Sequence, residues 1–261
     1  MIVLSATDPL LRAAMRRIAR PDEQVVADPD RVGDALRFGY PRLYVVAGAR
    51  AVDRAPREVA VLHLEEERLR AWEAERRRAE VPRPRLDDLC GRLRGVISTC
   101  AVTGTWVDGT LAELGRASGG ALPLAFASFA RHVLELPRQY TELGHLAETF
   151  DLTRGALKAR FRRRNLESPF TYLRWCRTLA VAHVLSDPDV TVSGAADRLG
   201  FTSGGNMCRS VRGLTGVTPH RLRDPALRRV LVLAFASRHL TGRHLAAWRD
   251  LDDVFRPRRV A

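Results

Sequence analysis

A repeat constrains this chain more than any other feature. Residues Gly144–Phe161 and Val192–Arg212 each begin with a short helix carrying a small residue, Ala147 in the first and Ala196 in the second. A tight turn follows, then a polar cap (Thr153 in the first, Thr202 or Ser203 in the second), then a helix with basic residues on one face. The small residue lets the second helix cross the first closely, and the cap oxygen accepts hydrogen bonds from amides left orphaned where that second helix starts. The expected architecture here is all-α, with two helix-turn-helix units in series.

Between the units lies Ser168-Pro169-Phe170-Thr171-Tyr172-Leu173-Arg174, followed by Arg177 and by Val184-Leu185. The second unit carries Gly200-Phe201 and Arg209, and closes with Gly216-Val217-Thr218-Pro219-His220-Arg221-Leu222-Arg223. Over roughly a third of the chain these residues resemble the AraC/XylS family of bacterial transcription regulators, with the stretch between the units similar to that family's linker helix, which implies a C-terminal all-α domain of two helix-turn-helix units joined by a linker helix. The resemblance implies a transcription factor that binds double-stranded DNA sequence-specifically, placing the second helix of each unit in the major groove. The partners it brings into view are DNA, a second copy of the chain and RNA polymerase. It does not reach the other two thirds. The β-barrel effector domain frequent in that family is not evident, since no run of short alternating strands and turns appears, so no sugar-type inducer is carried over.

Charge follows the same division. The chain of 261 residues has a formal net charge of +13. Residues 1–137 hold 21 arginines against 19 acidic residues, 138–223 hold 14 basic against 7 acidic, and 224–261 hold 8 against 4. The excess lies where phosphate neutralisation needs it. Lys158 is the only lysine, so an arginine-rich composition is the plainer account of part of this excess. Cys90, Cys100, Cys176 and Cys208 show no metal-ligand spacing, and the first residues carry neither a basic start nor a long apolar run. A cytoplasmic protein without a metal, cofactor or membrane span is expected. His145, His183 and His220 are scattered and form no acid–base or nucleophile constellation, which argues against an enzyme.

Read in order, the chain is mostly α with an N-terminal α/β domain. Ile2–Ser5 suits a buried strand, and Asp8-Pro9 starts a helix with Leu10, Leu11, Ala14, Met15 and Ile18 on one face. Gln24–Ala27, Arg42–Gly48 and Glu58–Leu64 read as further strands and Pro29–Phe38 as a helix, a βαβ pattern that predicts a small parallel sheet. The opening is similar to a response-regulator receiver domain, but its first strand ends in Ser5-Ala6-Thr7-Asp8 and its third in Ala47-Gly48-Ala49. The acidic cluster and the phosphate-accepting aspartate of a receiver are therefore missing, and a degenerate copy is expected. A generic small α/β domain used for packing or pairing fits the same residues.

Glu65–Glu80 reads as a charged helix, either solvated on its own domain or available for dimerisation, and Val81–Arg85 as a linker. Leu86–Leu136 is mostly helical, with a turn at Gly104–Gly109 and helices near Leu111–Ala117 and Leu122–Leu136. After Arg223 two apolar helices follow, capped by Asp224 and Thr241, whose faces must be buried; packing within the chain is favoured over dimerisation. The domains are then 1–80 (receiver-like α/β), 81–137 (helical connector), 138–223 (DNA-binding) and 224–261 (helical extension).

The candidate DNA-binding residues are Thr153, Arg154, Lys158, Arg162 and Arg163 in the first unit, and Thr202, Ser203, Asn206, Arg209 and Arg212 in the second. Arg160, Arg164 and Arg174 are further phosphate candidates. The positions that read bases in the family fall on Gly155, Lys158 and Ala159, and on Gly204, Gly205, Cys208 and Arg209. Direct readout needs paired donors or acceptors, which the small residues lack. Strong salt dependence with modest discrimination is expected, most of it from the first unit. The alternative is a degenerate helix-turn-helix protein acting as a protein-interaction adaptor, with weak or non-specific DNA binding.

Overall fold

The computed structural model describes residues 1–6, 8–20, 23–27, 29–47, 60–64, 85–99 and 106–255. The chain forms two compact units that divide between Thr105 and Trp106. The expected helix at 65–80, the linker residues 81–84 and the end of the third strand at Gly48-Ala49 lie outside the described residues.

The first unit contains β1 (Ile2–Ser5), α1 (Pro9–Ile18), β2 (Val25–Val26), α2 (Pro29–Phe38), β3 (Leu43–Ala47), β4 (Ala60–Leu64) and α3 (Arg85–Thr99). The strands pair in parallel in the order β2-β1-β3-β4, with Ile2 opposite both Val25 and Leu43, and Leu43 opposite Ala60. Asp8 caps α1 as its sequence suggests, accepting from the amides of Leu10 and Leu11. Alternation along the strands sends Ile2, Leu4, Leu43, Val45, Leu62 and Leu64 into one core, where Leu11, Ala14 and Met15 of α1 meet Cys90 and Leu93 of α3. Val3 and Val46 point to the opposite face. Right-handed crossovers put α2 there, because the chain steps out from β1 to β2 and then back past β1 to β3.

The N-terminal ends of β1, β2 and β3 are tied by one buried pair. Arg42 donates to both carboxylate oxygens of Glu23, at 2.9 and 2.7 Å. Burial raises the pKa of Glu23, but the Arg42 hydrogen bond and the neighbouring positive charges outweigh it and hold the carboxyl at about 2.

The second unit is all helical: α4 (Trp106–Ala117), α5 (Leu124–Glu135), α6 (Leu143–Thr149), α7 (Arg154–Arg163), α8 (Pro169–Val184), α9 (Val192–Arg198), α10 (Gly204–Thr215), a 3-10 helix (Pro219–Arg223), α11 (Pro225–His239) and α12 (Gly242–Arg249). The segment 81–137 is thus shared between the units, α3 packing on α1 and α4 packing on α5 and α11. The expected turn at Gly104–Gly109 is corrected over its described part. Residues 106–109 are the first turn of α4, with Val107 fully buried and Asp108 paired with Arg131 at 2.7 Å.

The linker helix α8 is the axis of this unit. Ser168 caps it, Pro169 occupies its first turn, and most of its side chains are buried. The extension after Arg223 packs within the same unit through Leu231, Val232, Phe235 and Ala236 of α11, whereas Val230 and Leu233 stay exposed. Trp248 of α12 is fully buried, its ring centroid 5.0 Å from Phe161, 5.2 Å from Tyr172, 5.3 Å from Phe126 and 5.5 Å from Phe129. Phe235 of α11 stacks on Trp175 of α8 at 5.2 Å. Pro123 offers α5 no side-chain cap, and Asp252 supplies one instead, accepting from the amide of Ala125 at 2.7 Å.

His183, near the end of α8, lies flat against Trp106 with centroids 4.1 Å apart. Burial first, and the charge of Arg228 second, lower its pKa from the usual 6.5 to about 4. The unfolded chain therefore takes up this proton near pH 6.5 and the folded chain only near 4, so the stabilisation is complete above 6.5 and is lost as pH falls through that window. Thermal midpoints measured from pH 7 to 4 should fall more steeply for the natural chain than for His183→Phe, which keeps an aromatic ring against Trp106.

Candidate nucleic-acid interface

Two helix pairs in the second unit share one local geometry. In the first, α6 ends at a turn in which Asp151 takes a positive φ of 53° and the amide of Leu152 reaches back to the carbonyl of Ala147 at 3.0 Å. In the second, Gly200 has φ 70° and the amide of Phe201 reaches the carbonyl of Ala196 at 2.9 Å. Both alanines are buried where the helices cross. Asp tolerates the left-handed region better than most residues, whereas position 200 requires glycine. A Cβ there would stand 3.1 Å from Cγ and 3.2 Å from the carbonyl oxygen of Arg138.

The caps complete the likeness and expose one difference. Thr153 Oγ1 accepts from the amide of Ala156 at 3.1 Å, and Ser203 Oγ accepts from the amide of Asn206, also at 3.1 Å. The sequence left Thr202 and Ser203 as alternatives at the second cap. Ser203 takes that place, while Thr202 accepts from the side-chain amide of Asn206 at 2.7 Å. The second turn is therefore one residue longer than the first, and the extra residue fixes the orientation of Asn206.

Beyond the caps, each second helix has a buried and an open side. Leu157 and Phe161 of α7 are buried, as are Met207 and Val211 of α10 at the equivalent positions. Arg154, Lys158, Arg162 and Arg163 are exposed on α7, and Arg209 and Arg212 on α10. None of these six makes a hydrogen bond or ion pair among the described residues, which leaves an open cationic surface. Arg160 and Arg164 are only half-exposed, and Arg174 donates to the carbonyl of Ser210 at 3.2 Å, so that candidate is engaged in holding α10. Gly155 and Gly205 occupy the same position, second in their helices. Each is exposed, and a Cβ on either would meet nothing closer than 3.8 Å.

The second pair is held in place by arginines. Arg177 of α8 is buried, and its guanidinium donates to the carbonyls of Pro137, of Tyr140 at 3.3 Å and of Leu199 at 3.0 Å. It also lies over the Phe201 ring, 4.4 Å from the centroid. Burial lowers its pKa to about 10, so it stays charged at neutral pH. Arg223 donates to the carbonyls of Leu185, Asp187, Pro188 and Val190 at 2.6–3.4 Å, closing the loop before α9. Reading the sequence did not find these roles. A single charge within Trp175-Cys176-Arg177-Thr178-Leu179 was the available signal, because arginine is rarely buried without partners.

Among the described residues, no group of His, Cys, Asp and Glu could hold a metal ion, and no helix is long and apolar enough to cross a membrane. Residues 146–224 match a helix-turn-helix domain family of the AraC type. The match runs from within α6 through the rest of both helix pairs, the linker helix and the closing 3-10 turn, less than a third of the chain, and includes none of the N-terminal unit. No curated protein and no solved structure matches the chain. A helix-turn-helix domain of this kind points to a DNA-binding transcription regulator.

Two substitutions check the reading of this surface. Hydrogen bonds to a charged donor contribute about 1.5–3 kcal/mol each. Arg177→Met should therefore cost roughly 3 kcal/mol or more in denaturant unfolding, and Arg177→Lys should not restore it, since an ammonium cannot span three carbonyls and a ring face. Gly155→Ala and Gly205→Ala should each raise stability by about 0.4–1 kcal/mol, because neither backbone nor space demands glycine there.

Proposed function

We propose that this chain is a sequence-specific transcription regulator that binds double-stranded DNA through residues 138–223, with α7 and α10 as the elements that enter the major groove. The observation that supports this is the repeated geometry: two second helices, each capped by a side-chain oxygen, each presenting cations that the fold leaves unused. Arg154, Lys158, Asn206 and Arg209 are the side chains long enough and polar enough to reach base edges. Thr202 holds the amide of Asn206 and so fixes what that residue can offer. Arg162, Arg163 and Arg212 suit phosphates, and Thr153 and Ser203 define where the helices begin. Most discrimination falls to the first unit, since glycines stand at the start of α10.

The remaining segments take supporting roles in this proposal. Residues 224–255 complete the core behind the first helix pair. We take the N-terminal α/β part to be a receiver-like module, a reading supported by the strand order β2-β1-β3-β4, which is that of one common doubly wound fold. With no acidic residue in Ala47-Gly48-Ala49, its signal does not depend on an aspartyl phosphate. A second copy and RNA polymerase are the protein partners of such a regulator. The adaptor reading is favoured by Gly155 and Gly205, which blunt both helices at one position.

A salt-titrated binding measurement with DNA from upstream of its own gene and an unrelated duplex separates these readings. Six exposed cations at about 0.9 per phosphate predict a log–log salt slope as steep as about −5. Tighter binding to the upstream DNA supports the regulator. Equal binding to both duplexes removes sequence specificity from the proposal, and no binding at low salt leaves the adaptor.

A further inference from the structure

The two helix pairs are held by different chemistry, and the difference reaches beyond the residues that match the family. The pair α9–α10 is tied by arginine-to-carbonyl bonds from Arg138, Arg174 and Arg177. The pair α6–α7 is held by aromatic rings, and the ring that spans it comes from the extension. Phe255 is fully buried, with its centroid 4.7 Å from Phe150 at the end of α6 and 6.4 Å from Phe161 in α7. It also meets Phe129 of α5 at 6.0 Å and Trp248 of α12 at 5.7 Å. Trp248 in turn lies 5.0 Å from Phe161. The outward side of the same short helix carries Arg154, Lys158, Arg162 and Arg163. A helix of this length has little stability of its own in water and takes its place from the face it buries.

We propose that Phe255 and Trp248 are positioning residues for the first recognition helix, so that the extension after Arg223 is a working part of the DNA-binding surface. This rests on the nucleic-acid reading above. The extension holds the buried side of α7, and so decides whether the arginines on the other side meet the phosphates as a set. The second pair, tied by Arg138 and by Arg174 and Arg177 of the linker helix, does not depend on it.

The test uses the full chain and one fixed duplex. Phe255→Ala is compared with Arg162→Ala/Arg163→Ala in the first unit and with Arg209→Ala/Arg212→Ala in the second, at a temperature where each variant is folded by circular dichroism. Phe255→Ala should reduce the salt slope by close to two, the loss expected for two phosphate contacts at about 0.9 each. Combined with the first-unit pair it should change little further, whereas with the second-unit pair the losses should add. Phe255→Leu, which keeps an apolar contact, should recover most of the binding. Amide hydrogen exchange should quicken in residues 154–163 and not in 204–215. Equal additivity with both arginine pairs, or an unchanged slope despite a lower melting temperature, overturns the inference. Failure of the natural chain to bind any duplex overturns the DNA reading and this inference with it. Binding by the natural chain and equally by Phe255→Ala overturns this inference alone.

Discussion

The arrangement of the DNA-binding unit depends on one buried cation. Arg177 projects from the linker helix into a place where Pro137, Tyr140 and Leu199 each have a carbonyl that the helices do not satisfy. A buried acceptor without a donor costs as much as a lost hydrogen bond, so these segments can approach one another only if something donates to all of them. A guanidinium does so because its donors lie in one plane and point in several directions, and because its face can rest on Phe201. The segment before the first helix pair and the turn inside the second are thereby fixed to the same residue of the same helix.

Around that point the unit combines two kinds of glue. Arginine-to-carbonyl bonds are directional and fix the second pair at a few atoms. The aromatic cluster of Phe126, Phe129, Phe161, Tyr172, Phe235, Trp248 and Phe255 is less directional. It holds the first pair through buried area and edge-to-face contacts. The first solution uses arginines that flank the repeat or lie on the linker helix, whereas the second recruits a tail more than sixty residues beyond α6 in the sequence. The N-terminal unit uses a third device on a smaller scale, a carboxylate and a guanidinium paired where three parallel strands begin.

Much of this could be read before any coordinates. Asp8 ahead of Pro9, Thr153 ahead of α7 and Asp224 ahead of α11 are side chains that compete for backbone amides, and each does so where its neighbours suggested. The apolar runs in Ile2–Ser5 and Arg42–Gly48 marked two of the strands, and the alternation of strands with helices pointed to a parallel sheet. The turn expected around Gly104–Gly109 failed for the opposite reason. Gly109 marked it as a breaker, but the burial of Val107 and the Asp108–Arg131 pair outweigh a local propensity worth only about 1 kcal/mol. The choice between Thr202 and Ser203 was likewise beyond the sequence, because two adjacent hydroxyls have equal local claims to a cap.

The sequence by itself determined the elements, the repeat and the region of positive charge, since helices, caps and alternation arise from contacts between residues a few positions apart. Tertiary structure alone decided which charges are free. Arg174, Arg177 and Arg223 look no different in sequence from Arg162, Arg163 and Arg212, yet the first three donate to carbonyls within the fold and the last three face outward. It also decided where the tail goes. An apolar face states only that it must be covered, and the surface that covers it is defined by shape complementarity between segments that approach one another only in the folded chain.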